Sequence, residues 1–217
     1  MTRAQNADLF DPPPTRKAKP DDDREAPSSL TALNRMIREA EPFVEGSSKA
    51  VLGEGPKNPA IAFVGEQPGD QEDLHGRPFV GPAGQILNRA LEEAGIDREE
   101  SYLTNAVKHF KFVQRGKRRL HQTPTAAEIR HYRWWLGHEL NFVKPKLVVT
   151  LGASAALALE GRAIPIGRNR GPHKFPEHNG YITVHPSWLL RIPSEDDRAT
   201  EYKRFVDDLR KARKLAH

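Results

Sequence analysis

Short apolar runs alternate with amphipathic helices along most of this chain, and no other feature constrains the fold as strongly. The runs are bounded by Gly, Pro or polar residues and lie at residues 60–64, 102–104, 146–151 and 181–184. Apolar side chains at helical spacing occur around them, at residues 29–41, 82–94, 125–140, 153–160 and 198–215. Strands that alternate with helices form a parallel sheet covered on both faces. The sequence therefore predicts an α/β fold.

The chain divides into two parts of different composition. Residues 1–28 are rich in Pro and charge and are predicted to be a disordered tail, because they have little apolar surface to bury. Residues 29–217 show no linker and no internal repeat, which predicts a single domain. No run reaches the roughly 18 apolar residues of a membrane span. An amino terminus without an apolar signal region predicts a cytoplasmic protein, and we expect a nucleoid-associated monomer in a bacterium.

Charge and cysteine content narrow the classes of partner and cofactor. A net charge of +5 suits a polyanionic partner, although such an excess is also common on solvated surfaces. The chain has no cysteine, which excludes disulfides and any metal or cluster held by thiolates.

Polar side chains follow several of the predicted strands directly. Glu66, Asp70 and Asp73 follow the first strand, while Asn105 and His185 follow two others. Ligands of open α/β sheets bind at this edge. The loop after residue 64 matches neither a dinucleotide-binding nor a phosphate-binding motif, and no metal-binding spacing joins its carboxylates. We therefore expect no metal there; the loop favours a pocket for a flat polar base, and capping of backbone N–H groups is the alternative for each carboxylate.

Ordered motifs then identify a family. They are residues 65–69 (GEQPG), 76–84 (GRPFVGPAG), 102–111 (YLTNAVKHFK), 117–121 (KRRLH), 151–153 (LGA) and 185–187 (HPS). In this order they closely resemble the uracil-DNA glycosylase superfamily, and most closely its UdgX type, over about residues 30–213. The resemblance implies a three-layer sandwich with a central four-stranded parallel sheet, a basic groove for DNA and a pocket for an extruded uracil.

Uracil excision requires negative charge near deoxyribose C1′ and hydrogen-bond donors at the uracil oxygens, because the departing base carries the electron pair. The resemblance implies that Glu66 and Asp73 supply the charge, that His185 donates to uracil O2, and that Asn105 reads the O4 and N3 edge. It also implies base contacts from Gln67, Gly69 and Phe79. On residue types alone, Phe79 is as often a core residue, and an Asn at a strand end is more often a cap.

The expected partner is uracil-containing DNA, single- or double-stranded, with free uracil as product. Extruding a base from a duplex costs a few kcal/mol, and contacts with phosphates help to hold the deformed strand. The predicted DNA-binding residues are Lys108, Lys117, Arg118, Arg119, Ser187, Trp188, Leu189 and Arg191. A run of cations is usually only a solvated face, and core packing is the alternative for any one of the apolar side chains after residue 187.

The KRRLH motif bears on the mechanism. UdgX-type proteins carry a loop whose His attacks C1′ and stays attached to DNA, and His121 matches that residue. A neutral imidazole is a competent nucleophile if its other nitrogen donates to a carboxylate, for which Glu66 is the candidate. Turnover by water, as in ordinary uracil-DNA glycosylases, is one alternative, with an abasic site as product and a wider range of bases. A protein that binds damaged DNA without cutting it is another.

Two departures from the UdgX pattern accompany the resemblance. UdgX and its nearest relatives usually hold an iron-sulfur cluster, whereas this chain has no cysteine, so no cofactor is expected. The aligned positions are Arg38, Glu41, His109 and Tyr132, and a salt bridge of Arg38 or Glu41 together with packing of Tyr132 is the expected substitute. The segment between Lys111 and Lys117 is also slightly shorter than the family norm, which would retract His121 and admit water.

Overall fold

The computed structural model describes residues 25–216, so most of the predicted tail, residues 1–24, lies outside the described residues. The helices are α1 (Leu30–Glu39), α2 (Asp70–His75), α3 (Pro82–Ala94), α4 (Ala126–Val143), α5 (Ala153–Glu160), α6 (Ile166–Asn169), α7 (Pro186–Leu189) and α8 (Glu195–Ala216). The strands are β1 (Gly46–Ala50), β2 (Ile61–Gly65), β3 (Tyr102–Asn105), β4 (His109–Arg115), β5 (Arg118–His121), β6 (Leu147–Leu151), β7 (Gly171–Lys174) and β8 (Asn179–Thr183). Within residues 25–216, no helix is long and apolar enough to span a bilayer.

A five-stranded sheet with the order β3-β2-β6-β8-β7 forms the centre of the fold. The first four strands are parallel, which confirms the predicted four-stranded parallel sheet. The fifth strand, β7, pairs antiparallel with β8 at the edge. Strand β7 could not be predicted from the sequence, because its Gly-Pro-His-Lys composition lacks both apolar alternation and strand propensity.

Two apolar clusters pack on opposite faces of this sheet. Side chains alternate along β2, so Ala62 and Val64 join one cluster while Ile61 and Phe63 join the other. The first cluster contains residues of α1, α4 and α5, and the second contains residues of α3 and α8. Burying one side chain of the size of Val or Phe contributes about 1.5–3 kcal/mol. Burial on both faces explains why the strands are continuous apolar runs.

The helix ends follow their local signals. At the start of α4, Thr125 Oγ1 accepts from Glu128 N at 3.2 Å, and Glu128 Oε2 accepts from Thr125 N at 2.6 Å. This reciprocal pair is the capping box that the sequence predicts. Helix α3 begins with Pro82 in its first turn and ends at Gly95, which has a φ of +70°.

A second sheet of three strands, in the order β1-β4-β5, lies beside the site. The cationic KRRLH motif lies in its β4–β5 hairpin, so the loop that the resemblance to UdgX-type proteins implied for this motif is wrong. Arg115 pairs with Arg118 across a turn in which Gly116 has a φ of +58°. The hairpin is not recognisable as strands because most of its cations and its Val113 and Leu120 side chains are exposed, so buried and exposed positions do not alternate.

Candidate active site

A cavity of about 720 Å³ opens where the carboxyl ends of β2 and β3 meet the segment that follows β8. Most of the predicted site residues lie together in its lining: Glu66, Gln67, Gly69, Phe79, Asn105, His121, His185, Ser187 and Arg191. These residues come from distant parts of the sequence. The parallel strands bring them to one edge, as expected for an open α/β sheet.

Phe79 forms one wall of the cavity and has a backbone conformation that non-glycine residues rarely adopt. Its φ is +55°, and its side chain is buried. A Cβ on Gly84 would lie 1.9 Å from Phe79 O, and one on Gly65 would lie 2.6 Å from the Phe79 ring. Both glycines are therefore required for this turn. Left-handed backbone at a non-glycine residue costs about 1–3 kcal/mol and concentrates at functional sites.

His185 presents a neutral N–H donor. Burial, together with the charges of Arg191 and His121, lowers the pKa of His185 to about 4. Its Nδ1 accepts from Ser187 N at 3.2 Å and lies 2.8 Å from Ser187 Oγ. Since Nδ1 is the acceptor, the single ring proton is on Nε2. The imidazole is thus fixed as an uncharged donor at neutral pH.

Glu66 lies between a hydroxyl and an imidazole. Ser154 Oγ donates to Glu66 Oε2 at 2.6 Å, and His121 Nε2 lies 3.4 Å from Glu66 Oε1. Gly152, just before α5, lets the His185 main chain pack closely beside it, because Gly152 has a φ of +89° and a Cβ there would lie 3.0 Å from His185 Cβ. Sequence reasoning missed Ser154, although it directly follows the LGA motif at the start of α5.

Gln67 has a different task from the predicted one. Its side-chain Nε2 donates to Lys111 O at 3.2 Å and to Gln122 O at 3.0 Å, while its Oε1 accepts from Lys111 N at 3.1 Å. The amide is therefore engaged with the base of the β4–β5 hairpin. It holds the chain beside His121 and is not available to read a base, although Gln67 is among the residues that line the cavity.

Asp73, predicted as catalytic, does not reach the cavity lining. It lies on α2, is 5% exposed and forms an ion pair with Arg119 Nη1. Arg119 Nε also lies 2.6 Å from Asp70 Oδ1, and its guanidinium packs 5.2 Å from the Phe112 ring centroid. The Arg119 guanidinium therefore binds carboxylates of α2 and is not free to contact a DNA phosphate. These two predictions are corrected together, because the two side chains form one ion pair away from the cavity lining.

Glu72 is a further residue that sequence reasoning missed. Its carboxylate accepts from Gly69 N at 3.1 Å and from Gly81 N at 2.9 Å, which joins the two loops that border the cavity. Glu72 therefore caps backbone N–H groups, and its signal in the sequence is its spacing of three residues after Gly69.

Two predicted DNA contacts are wrong. The Lys108 side chain is 0% exposed because it pairs with Glu139 inside the protein. Leu189 is 1% exposed and belongs to the core, as the alternative reading allowed. The exposed apolar side chains on this rim are Trp188, at 38%, and Leu190, at 50%. Lys117 and Arg118 are exposed on the hairpin, as expected.

The residues at the cluster positions do not fit an iron-sulfur cluster, since the chain offers no cysteine thiolate. Instead Tyr132 OH accepts from Phe43 N at 3.1 Å and forms a hydrogen bond of 2.8 Å with His109 Nδ1. Both His109 and Tyr132 are 2% exposed. Packing of Tyr132 is confirmed, while the salt bridge of Arg38 or Glu41 stays a prediction. Within residues 25–216, no group of three or more His, Cys, Asp and Glu side chains is placed to hold a metal ion.

Comparisons with known proteins agree with this geometry. Residues 52–210 match the family model of the Uracil DNA glycosylase superfamily. The Type-4 uracil-DNA glycosylase of Thermotoga maritima is 37% identical over 170 residues, covering 76% of this chain and 82% of the relative. That of Pyrobaculum aerophilum is 33% identical over 176 residues, covering 76% and 86%. That of Sulfurisphaera tokodaii is 38% identical over 179 residues, covering 78% and 76%.

Proposed function

Because the chain belongs to the uracil-DNA glycosylase superfamily, we propose that it excises uracil from DNA as a repair protein. The observation that carries this proposal is the cavity in which Phe79, Asn105 and a neutral His185 meet. A planar ring, an amide and a fixed imidazole N–H suit a flat base with carbonyl oxygens. The names of the relatives, Type-4 uracil-DNA glycosylases, agree with it.

His185 acts on the departing base. As the bond between C1′ and N1 breaks, the electron pair leaves with uracil and charge develops on O2. The Nε2–H of a neutral His185 donates to that oxygen, and a single preorganised donor of this kind contributes about 2.7–4 kcal/mol to the transition state. Neutrality matters because the ring must keep its proton as uracil leaves.

Glu66 faces the sugar, and we propose that it directs the capture of the sugar cation by His121. A ring that donates from Nε2 to Glu66 Oε1 carries its lone pair on Nδ1. Nδ1 forms a bond to C1′ while the C1′–N1 pair leaves with uracil, and the resulting imidazolium keeps its Nε2 proton beside Glu66. The hydrogen bonds of Gln67 and the ion pairs of Arg119 support this UdgX-type assignment, because they hold the hairpin against the site although its turn is short.

Turnover by water is the second candidate mechanism. It is favoured by the relatives' names and by the 48% exposure of the His121 side chain, which leaves space for water beside Glu66. The product would then be an abasic site, and the range of excised bases would be wider. A binding protein without catalysis is the third candidate.

DNA is the proposed partner, met by a rim that carries exposed Lys117 and Arg118 on one side and Ser187 and Arg191 on the other. Leu190 is the apolar side chain best placed to fill the gap of an extruded base, because it is half exposed and lines the cavity. We also propose that the protein is a cytoplasmic monomer.

A denaturing gel with a labelled uracil-containing single strand separates the three candidates. We expect a heat-stable band of reduced mobility from the wild type, which His121→Ser abolishes. Alkali-labile cleavage without a shifted band assigns capture to water. DNA that is unchanged in both lanes indicates binding alone, and a shifted band that survives His121→Ser excludes this residue as the nucleophile.

A further inference from the structure

A fully buried ion pair lies beneath the candidate active site. The side chains of Lys108 and Glu139 are both 0% exposed, and Lys108 Nζ lies 2.5 Å from Glu139 Oε2. Lys and Glu are almost never fully buried unless they are paired, and moving each charge out of water costs several kcal/mol. Because the attraction within such a pair does not generally exceed that cost, stability alone is a weak explanation for its presence here.

The ammonium group reaches the residue that we assign to the base. Lys108 Nζ donates to Glu139 Oε2, to Thr104 Oγ1 at 2.7 Å and to the main-chain O of Asn105 at 2.8 Å. A lysine has three N–H donors, so all of them are in use. One of the three donors therefore fixes the main chain of Asn105, a residue that lines the cavity.

Glu139 is held as firmly as its partner. Its Oε1 accepts from Tyr102 OH at 3.0 Å, and Thr104 Oγ1 lies 3.1 Å from both of its oxygens. A Cβ on Gly53 would lie 2.4 Å from Glu139 Oε1, so the Gly53 main chain packs directly against this fully buried carboxylate. In this dry surrounding the bond from Lys108 to Asn105 is stronger than at a surface.

The segment of residues 105–108 also fixes the end of β2. Ala106 N donates to Gly65 O at 2.9 Å, and Val107 N donates to Glu66 O at 2.9 Å. Residues 105–108 thus connect the buried pair to Asn105 and to the main chain of Glu66. A shift of the Lys108 ammonium would be transmitted to the groups assigned to the base and to the sugar.

We infer that Lys108 and Glu139 are positioning residues that set the orientation of Asn105 and so determine how well the cavity recognises uracil. This inference rests on the proposed excision of uracil. Lys108 thereby gains a role in place of the DNA contact that its burial excludes.

The test compares Lys108→Met with the double variant Lys108→Met/Glu139→Met. The single variant leaves a buried carboxylate without its cation, and it is expected to lose stability and about 100-fold in the single-turnover rate of uracil excision. The double variant removes both charges, so its unfolding transition in urea should return towards that of the wild type. Its excision rate should stay low, because Asn105 O still lacks its donor. Affinity for DNA with an abasic-site analogue, which offers no base, should be unchanged.

Arg170→Met is the matched control. Arg170 Nε lies 2.5 Å from Asp208 Oδ2 in another mostly buried pair, and neither residue lines the cavity. This variant should lose stability without a loss of excision rate. If the double variant regains wild-type excision, or if Arg170→Met loses as much, the pair serves folding alone and the inference is wrong.

Failure of the proposed function would be seen separately, as a wild type that releases no uracil. The positioning of Asn105 would then be judged from its side-chain amide signals in NMR spectra. The inference predicts that these signals shift in the double variant and not in Arg170→Met; unchanged signals in the double variant would overturn it.

Discussion

At the scale of single residues, two histidines are neutral because the protein surrounds them. Burial, helped by the charge of Lys108 and opposed by that of Asp73, lowers the pKa of His109 to about 4. Burial also dominates at His185, whose pKa is about 4 as well. The unfolded chain binds these protons near the ordinary histidine pKa of about 6.5. The stabilisation is therefore fully present above about pH 6.5 and is lost as the pH falls towards 4.

Replacement of His109 should make the protein less sensitive to acid. Between pH 7 and pH 5 a histidine with this depressed pKa removes about 2 kcal/mol from the free energy of unfolding. We expect His109→Phe to shrink the difference between urea-unfolding free energies at the two pH values by about this amount. Tyr132→Phe, which removes the hydrogen bond but keeps the buried imidazole, should retain most of the difference. An equal pH dependence in His109→Phe and wild type would contradict the assignment.

At the scale of elements, the β4–β5 hairpin is the part that turns a strand-end cavity into a site with a candidate nucleophile. Gln67 holds the hairpin at its base, and Arg119 ties it to α2 through Asp70 and Asp73. Phe110 and Phe112 pack under the Arg119 guanidinium at 5.4 and 5.2 Å. His121 is consequently placed by contacts that involve neither the base nor the sugar.

Arg119→Ala should slow the chemistry while affecting DNA affinity little. Loss of both ion pairs frees the hairpin, and a misplacement of about 1 Å in a reacting group costs on the order of 100-fold in rate. Single-turnover excision and filter binding at several salt concentrations measure the two effects separately. The neighbouring exposed Arg118 provides the control: Arg118→Ala should weaken binding and reduce its salt dependence with little change in rate. A loss of affinity alone in Arg119→Ala would return this residue to the DNA surface.

At the scale of the whole molecule, periodicity in the sequence was sufficient to predict the four parallel strands of the central sheet and its covering helices, but not the edge strand β7. The strands that were predicted bury both faces, so their apolar runs are visible without tertiary information. The cavity lining was predictable because motifs follow those strands. The β4–β5 hairpin was not, since its stability depends on contacts with Asp70 and Gln67 that lie far away in sequence.

The roles of the side chains that support the cavity lining could not be predicted from the sequence either. Burial of Lys108 depends on Glu139, which is 31 positions away and on a different element. Ser154 and Glu72 are ordinary polar residues until the fold brings Glu66 and Gly81 to them. Spacing in the sequence indicates which residues lie at the edge of the sheet. Packing decides which of these residues face a ligand and which contact other parts of the protein.

Release of free uracil tests the central claim most directly. A uracil-containing single strand is incubated in excess with the protein, and the base is quantified by mass spectrometry against a matched strand that carries thymine. We expect uracil release that stops at one molecule per protein molecule and no release of thymine. Release over many turnovers would keep excision but assign capture to water, whereas recovery of the uracil-containing strand intact would show that the protein does not excise uracil.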